Sequence, residues 1–201
     1  MSNLSTLEQY LSDKVHLSAA DWQKIREYID YLNIEKGDYL IQPEQTSTHT
    51  FFVEKGLLRY FSVDQNAKEH ILQFAPENWF VGDRNGVCFN QPSTFYIQAI
   101  EPSRVALIDE SLFSAKLLAI NPEFVAYNEQ ILQKHIHQLQ RRIHLLLSAT
   151  AEERYMDFIS TYPDLTQRVP QWMIASYLGI TPESLSRVRK DMANRKFYPK
   201  N

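Results

Sequence analysis

In this 201-residue chain the side chains best placed to do chemistry fall in one stretch, Gln171-Trp-Met-Ile-Ala-Ser-Tyr-Leu-Gly-Ile-Thr-Pro-Glu-Ser-Leu-Ser-Arg-Val-Arg-Lys190. Thr181 is a helix cap and Pro182 suits the first helical position, so a helix is predicted to open there. Its outward residues are then Glu183, Ser184, Ser186, Arg187 and Lys190. Arginine can donate two parallel hydrogen bonds to guanine, and a carboxylate can accept from the cytosine amino group. Thr181, at the positive end of a helix dipole, suits a backbone phosphate. The expected chemistry is readout of base edges in a major groove, with Arg189, Arg195 and Lys196 as phosphate contacts, rim contacts or solvated charges.

Other chemistries find less support. A metal-dependent roll enzyme needs clustered histidines and a carboxylate, but His49 and His70 stand alone. His135 and His137, two apart on a predicted helix, point to different faces. No Ser/His/Asp order, phosphate-binding loop or dinucleotide glycine pattern is present. Cys88, the single cysteine, sits between Val87 and Phe89 and reads as inert packing rather than a redox sensor. No enzyme activity and no metal are expected. Trp79, Phe80, Phe89, Phe95 and Tyr96 either line an apolar ligand pocket or form a core.

Positioning the outward row requires a second helix, and the same stretch supplies one. Ala175 is small where two backbones approach, Gly179 tolerates the left-handed turn, and Ile174, Leu178, Leu185 and Val188 face inward. That joint spacing is the signature of a helix-turn-helix. Upstream, Asn121-Pro122 opens a long helix on which Val125, Leu132, Leu139 and Leu146 recur every seven residues, joined by Ile136 and Ile143. The narrow stripe is read as a homodimer seam rather than a face packed on the chain's own core. Ala149–Glu153 should interrupt the helix, and another should follow from Glu152 to Tyr162 with Tyr155, Phe158 and Ile159 inward.

Between Ile34 and Asp109 the pattern becomes short β-rich runs broken by turns. The expected strands are Tyr39–Ile41, Thr50–Val53, Leu57–Val63, His70–Phe74, Trp79–Val81, Tyr96–Ile100 and Arg104–Ile108. Such a series folds as an antiparallel barrel or jelly roll. Before it, Ser18-Ala-Ala-Asp21 is a capping box, and Trp22, Ile25, Ile29 and Leu32 follow at helical spacing. The expected class is α+β: an N-terminal β-roll, a long dimerisation helix and a C-terminal helix-turn-helix. The domain boundary is placed near Leu147–Thr150, dividing 1–148 from 149–201.

Composition is that of an ordinary globular chain, 44% hydrophobic and 22% charged. Residues 1–13 do not read as a signal peptide, and no run approaches the roughly 20 apolar residues of a membrane span. The expected location is cytoplasmic. The net charge is −3, which alone argues against a polyanionic partner. It hides a gradient: Gln167 to Asn201 carries seven basic residues, including Arg168, against Glu183 and Asp191. A basic end on an acidic body suggests a local polyanion contact.

Several segments together resemble the Crp/Fnr family, relatives of the cyclic-AMP receptor protein. Phe51-Phe-Val-Glu-Lys-Gly-Leu-Leu-Arg-Tyr60 is similar to the family's strand-turn-strand around a required glycine, here Gly56. Asn78-Trp-Phe-Val-Gly-Asp83 resembles the approach to its ligand cassette, and Gln98-Ala-Ile-Glu-Pro-Ser-Arg-Val-Ala-Leu107 the strand pair closing the roll. Ala175 to Arg187 is close to its recognition motif. The resemblance implies a cyclic-nucleotide-binding-type roll and dimeric, sequence-specific DNA binding with Glu183 and Arg187 as base readers. The implied partners are double-stranded DNA, a second copy and RNA polymerase, with no membrane. The pocket residues it implies are Gly82, Asp83, Ser93 and Thr94.

Two departures qualify the resemblance. Gly82-Asp83 shortens the family's Gly-Glu, and at Ser93-Thr94 the phosphate-binding arginine is missing, with Arg84 the nearest substitute. A buried phosphate without a cation is costly, so no cofactor is expected. Another small effector, or none, replaces the cyclic nucleotide, and a regulator responding to cAMP or cGMP is the alternative. The chain after Phe197 is short for the family's wing, so a truncated wing is expected.

Overall fold

The computed structural model describes residues 6–109 and 121–197. Two short capped helices open it: α1 (Leu7–Ser12), capped by Thr6, and α2 (Ala19–Arg26), whose Ser18–Asp21 capping box forms as its spacing predicts. Leu7, Leu11, Trp22 and Ile25 bury one face of this pair against Phe52 and Ala106 of the roll. Helix α1 is pinned there by Glu54, whose Oε1 accepts from the Leu7 amide at 2.9 Å.

Among the described residues, eight antiparallel strands build two four-stranded sheets. They are β1 (Ile29–Ile34), β2 (Tyr39–Ile41), β3 (His49–Lys55), β4 (Leu58–Val63), β5 (Glu69–Ala75), β6 (Phe80–Gly82), β7 (Tyr96–Ala99) and β8 (Ser103–Asp109). One sheet runs β1-β8-β3-β6 and the other β2-β7-β4-β5. Ile41, Phe51, Val53, Leu58, Ile97 and Val105 belong to one buried cluster contributed by both sheets. The turn from β3 to β4 admits only glycine: Gly56 has φ +95°, and a Cβ there would lie 2.2 Å from Ser103 Oγ.

Strand β1 corrects the helical reading of Ile29 and Leu32. Helix α2 stops at Arg26, and Ile29–Ile34 pairs along its whole length with β8, Ile29 opposite Ile108 and Ile34 opposite Ser103. The i, i+4 spacing of Ile25 and Ile29 is shared across a helix–strand junction, and pairing with a distant strand overrides it. A second unforeseen element is α3 (Arg84–Phe89), capped by the Asp83 side chain.

The long helix, α4, spans Pro122–Ser148, with Asn121 accepting from the Glu123 amide as N-cap. It ends where Ala149 turns extended, and Thr150 opens α5 (Ala151–Thr161) through a capping box with Glu153. Then come α6 (Leu165–Arg168), α7 (Gln171–Leu178) and α8 (Pro182–Phe197). The truncated wing falls after Phe197, outside the described residues. The C-terminal helices share a continuous core with the roll: Phe61, Ile71 and Phe74 pack with Phe158, Tyr162, Ile174, Leu178 and Leu185.

Candidate nucleic-acid interface and roll cavity

The α7–α8 pair owes its geometry to local chemistry. Gly179 closes α7 at φ +66°, and the space beside it is taken by Leu146 of α4, 3.2 Å from where a Cβ would stand. Thr181 Oγ1 then accepts from the Ser184 amide at 3.2 Å, starting α8. Leu185 is fully buried and Val188 packs against the same core. The opposite side of α8 is left to solvent: Thr181, Glu183, Ser186, Arg187 and Lys190 are exposed, and Ser184 is half-buried. The Glu183 carboxyl is held below its ordinary pKa by its own amide at the helix start and then by the Thr181 hydroxyl, so it is ionised at neutral pH.

The helices carrying this row are clamped to the roll by contacts that sequence reading missed. Ser176 Oγ accepts from the Ile71 amide (3.1 Å) and donates to the Glu69 carbonyl (2.8 Å). Since β5 is the outer strand of its sheet, α7 covers an edge that would otherwise offer unpaired backbone groups. Arg142 of α4 stacks 3.6 Å from the Tyr177 ring and donates to the carbonyls of Ile71 and Tyr177. Arg154 of α5 donates to the carbonyls of Ala149 and Leu178.

Arg168 corrects the charge reading. Counted among the basic residues of the C-terminal segment, it instead points into the molecule. There it bonds Glu77 (2.9 Å), Glu101 (2.8 Å) and the Gly56 carbonyl (3.1 Å). Arg195 likewise pairs with Glu152 at 2.5 Å. The positive charge available to a polyanion is therefore concentrated on α8 itself, at Arg187, Arg189 and Lys190.

A cavity of about 360 Å³ lies between the roll and α4. Leu72, Phe80, Val81, Phe95 and Ile108 make much of its roll side, and Phe124, Ile131, Leu132 and Leu139 its helical side. Gly82 and Asp83 line it. Ser93 and Thr94 do not: the Ser93 hydroxyl is buried on the backbone of Phe95, and Thr94 faces solvent. Of the aromatics, Phe80 and Phe95 face the cavity, Tyr96 stacks on Phe61, Trp79 packs on Tyr162, and Phe89 is 68% exposed. Cys88 is exposed rather than packed.

Two polar groups of the cavity meet at Asp83, which is 3% exposed. Its Oδ1 accepts from the Asn85 amide (3.2 Å) and the Tyr60 hydroxyl (3.4 Å). Burial, followed by the Asp83 charge, pushes the Tyr60 hydroxyl far above its ordinary range, so it stays a proton donor. Oδ2 has no hydrogen-bond partner among the described residues. Burial, and then Arg84, lower the pKa of His135, which keeps that wall uncharged at neutral pH.

On α4 the predicted seam forms a stripe of exposed apolar side chains. Val125, Ile136, Leu139, Ile143 and Leu146 are between 38% and 56% exposed, with Leu132 half-buried. Leu147, outside the heptad pattern, is exposed as well. Among the described residues no helix is long and apolar enough to cross a membrane.

Comparison with known proteins agrees with this architecture. Residues 31–119 match the cyclic nucleotide-binding domain family. The chain is 25% identical over 173 residues to a protein of Lacticaseibacillus casei named as a probable transcriptional regulator, Flp, covering 84% of this chain and 78% of that one. FixK2 from Bradyrhizobium japonicum superposes with a TM-score of 0.71 at 18% identity, over 84% of this chain and 86% of its own. A CooA variant from Carboxydothermus hydrogenoformans gives 0.70 at 18%, over 94% and 85%. In its matching domain, its curated relative and this shared fold, the chain is similar to transcription regulators of the Crp/Fnr type.

Proposed function

We propose that the protein is a cytoplasmic, homodimeric transcription factor that binds a two-fold-symmetric DNA site through paired α8 helices. The observation that carries this reading is the exposed row Thr181, Glu183, Ser186, Arg187 and Lys190 on a helix whose other face is buried. Arg187 and Glu183 read base edges, while Thr181, Ser184, Ser186 and Lys190 set register on the backbone and groove walls. Residues 149–201 form the DNA-binding unit, and 1–148 form the roll with the dimerisation helix. The exposed stripe on α4 supplies the seam for a second copy, and RNA polymerase is the further protein partner. Sites selected from a random DNA pool test the claim. Arg187→Ala should cost about 1–3 kcal/mol on the selected site and relax its sequence preference. Unchanged retention on every DNA tested sinks the reading. Ile143→Lys should convert dimers to monomers in sedimentation, and an unchanged mass removes the seam.

The domain match favours a second reading, a regulator that responds to cAMP or cGMP. Against it stand the missing arginine and a buried carboxylate in the cavity. Calorimetric titration with both nucleotides decides, since saturable micromolar heat would establish this alternative.

A further inference from the structure

Resting on the regulator reading above and taking the roll cavity as its effector site, we infer that its ligand is a small amine with an apolar or aromatic body, bound through Asp83. Oδ1 of Asp83 is already committed to the Asn85 amide and the Tyr60 hydroxyl, while Oδ2 is buried without a donor. A buried acceptor left unsatisfied is unfavourable, and more so when charged. Neither cation of the lining bonds it: His135 is neutral, and Arg84, at the exposed side of the cavity, directs its guanidinium to Cys88 Sγ at 3.8 Å rather than to Asp83. An ammonium entering the cavity brings both the missing hydrogen-bond donor and the missing charge. An anion would instead set a second negative charge beside Asp83. Most of the rest of the ligand must be apolar, because Leu72, Phe80, Phe95, Phe124 and Ile131 make much of the surrounding walls, with Thr50, Gln73 and Asn128 as further polar groups among them. A volume of about 360 Å³ holds a molecule the size of an arylalkylamine.

Three arene-bearing probes test this on the full-length protein: 2-phenylethylamine, tryptamine and phenylacetate, the last matching the first in its phenyl body but carrying a carboxylate, with cyclic AMP as the competing class. Calorimetry should show saturable binding of at least one amine and none of phenylacetate or cyclic AMP. Asp83→Asn keeps an acceptor for the α3 cap while removing the charge, and should weaken the amine about tenfold or more. Ile131→Trp, which fills the cavity and leaves Asp83 intact, should abolish binding with melting temperature retained. Binding of neither amine, tighter binding of phenylacetate or cyclic AMP, or equal affinity in Asp83→Asn each overturns the inference. Retention on the selected DNA site, measured on the same samples, separates the two claims. DNA binding without amine binding refutes only the ligand. Amine binding without any DNA retention refutes the regulator reading and leaves the cavity's chemistry standing.

Discussion

Glu77 and Glu101 on one side of the roll, and Asp83 on another, are carboxylates treated in opposite ways. Glu77 and Glu101 converge on Arg168, which also holds the Gly56 carbonyl, so charge and hydrogen bonds are matched within the chain. Asp83 is buried more deeply than either as a side chain against solvent, yet keeps one oxygen unmatched. A charge buried for architecture is useful only when its partner is built in, because breaking such a pair leaves an uncompensated ion. A charge left without its partner is a departure from that rule, and departures of this kind gather where something else is to be bound.

The contrast breaks most sharply at Arg168. Arg168→Ala should lower unfolding free energy by about 2–4 kcal/mol, as two partly buried carboxylates lose their cation, measured by urea denaturation. A change near zero would make the clasp ornamental. Acid should act on the same place more gradually. Glu77 is partly buried, which works against its ionisation, but its bonds to Arg168 and the Gly56 amide prevail and lower its pKa. A carboxylate depressed on folding contributes stability above its ordinary 4.5, lost as pH falls through the lower folded value. The acid limb of a melting-temperature profile should therefore flatten in Glu77→Gln. In ligand-free protein Asp83→Asn should have the opposite sign to Arg168→Ala, gaining up to about 1 kcal/mol by removing an unpaired buried charge. The smallest effect is expected from Ser176→Ala, about 1 kcal/mol for the two hydrogen bonds on the β5 edge.

How much of this was legible before folding follows the range of the interactions. Caps at Ser18, Asn121 and Thr181 and the turn at Gly179 are written within three or four residues, and each forms where its spacing predicts. Seven strands were readable from alternation between turns, but β1 was not. Its hydrophobic residues also fit a helix, and only its partner β8, some seventy positions away, decides between them. Arg168 was misassigned for the same reason. Local charge counting sees a basic residue beside a basic helix, whereas its partners lie 67 and 91 positions upstream. Asp83 was found through its likeness to a family motif, while Ser93 and Thr94, chosen the same way, turn out to be a buried hydroxyl and a solvent-facing one. An alignment gives a position in the chain. It does not give the direction of a side chain.

The guanidinium of Arg154 ends one helix and begins another at once, holding the Ala149 carbonyl at the break after α4 and the Leu178 carbonyl one residue before the turn into α8. The break is thus a fulcrum wired directly to the load. If two copies meet along α4, the separation of their α8 helices is metered from that joint, in the way a drafting compass keeps its span through its hinge screw. Loosening the screw would leave each point as sharp as before while spoiling the distance between them, so half-site spacing and base preference should be separable properties of this protein.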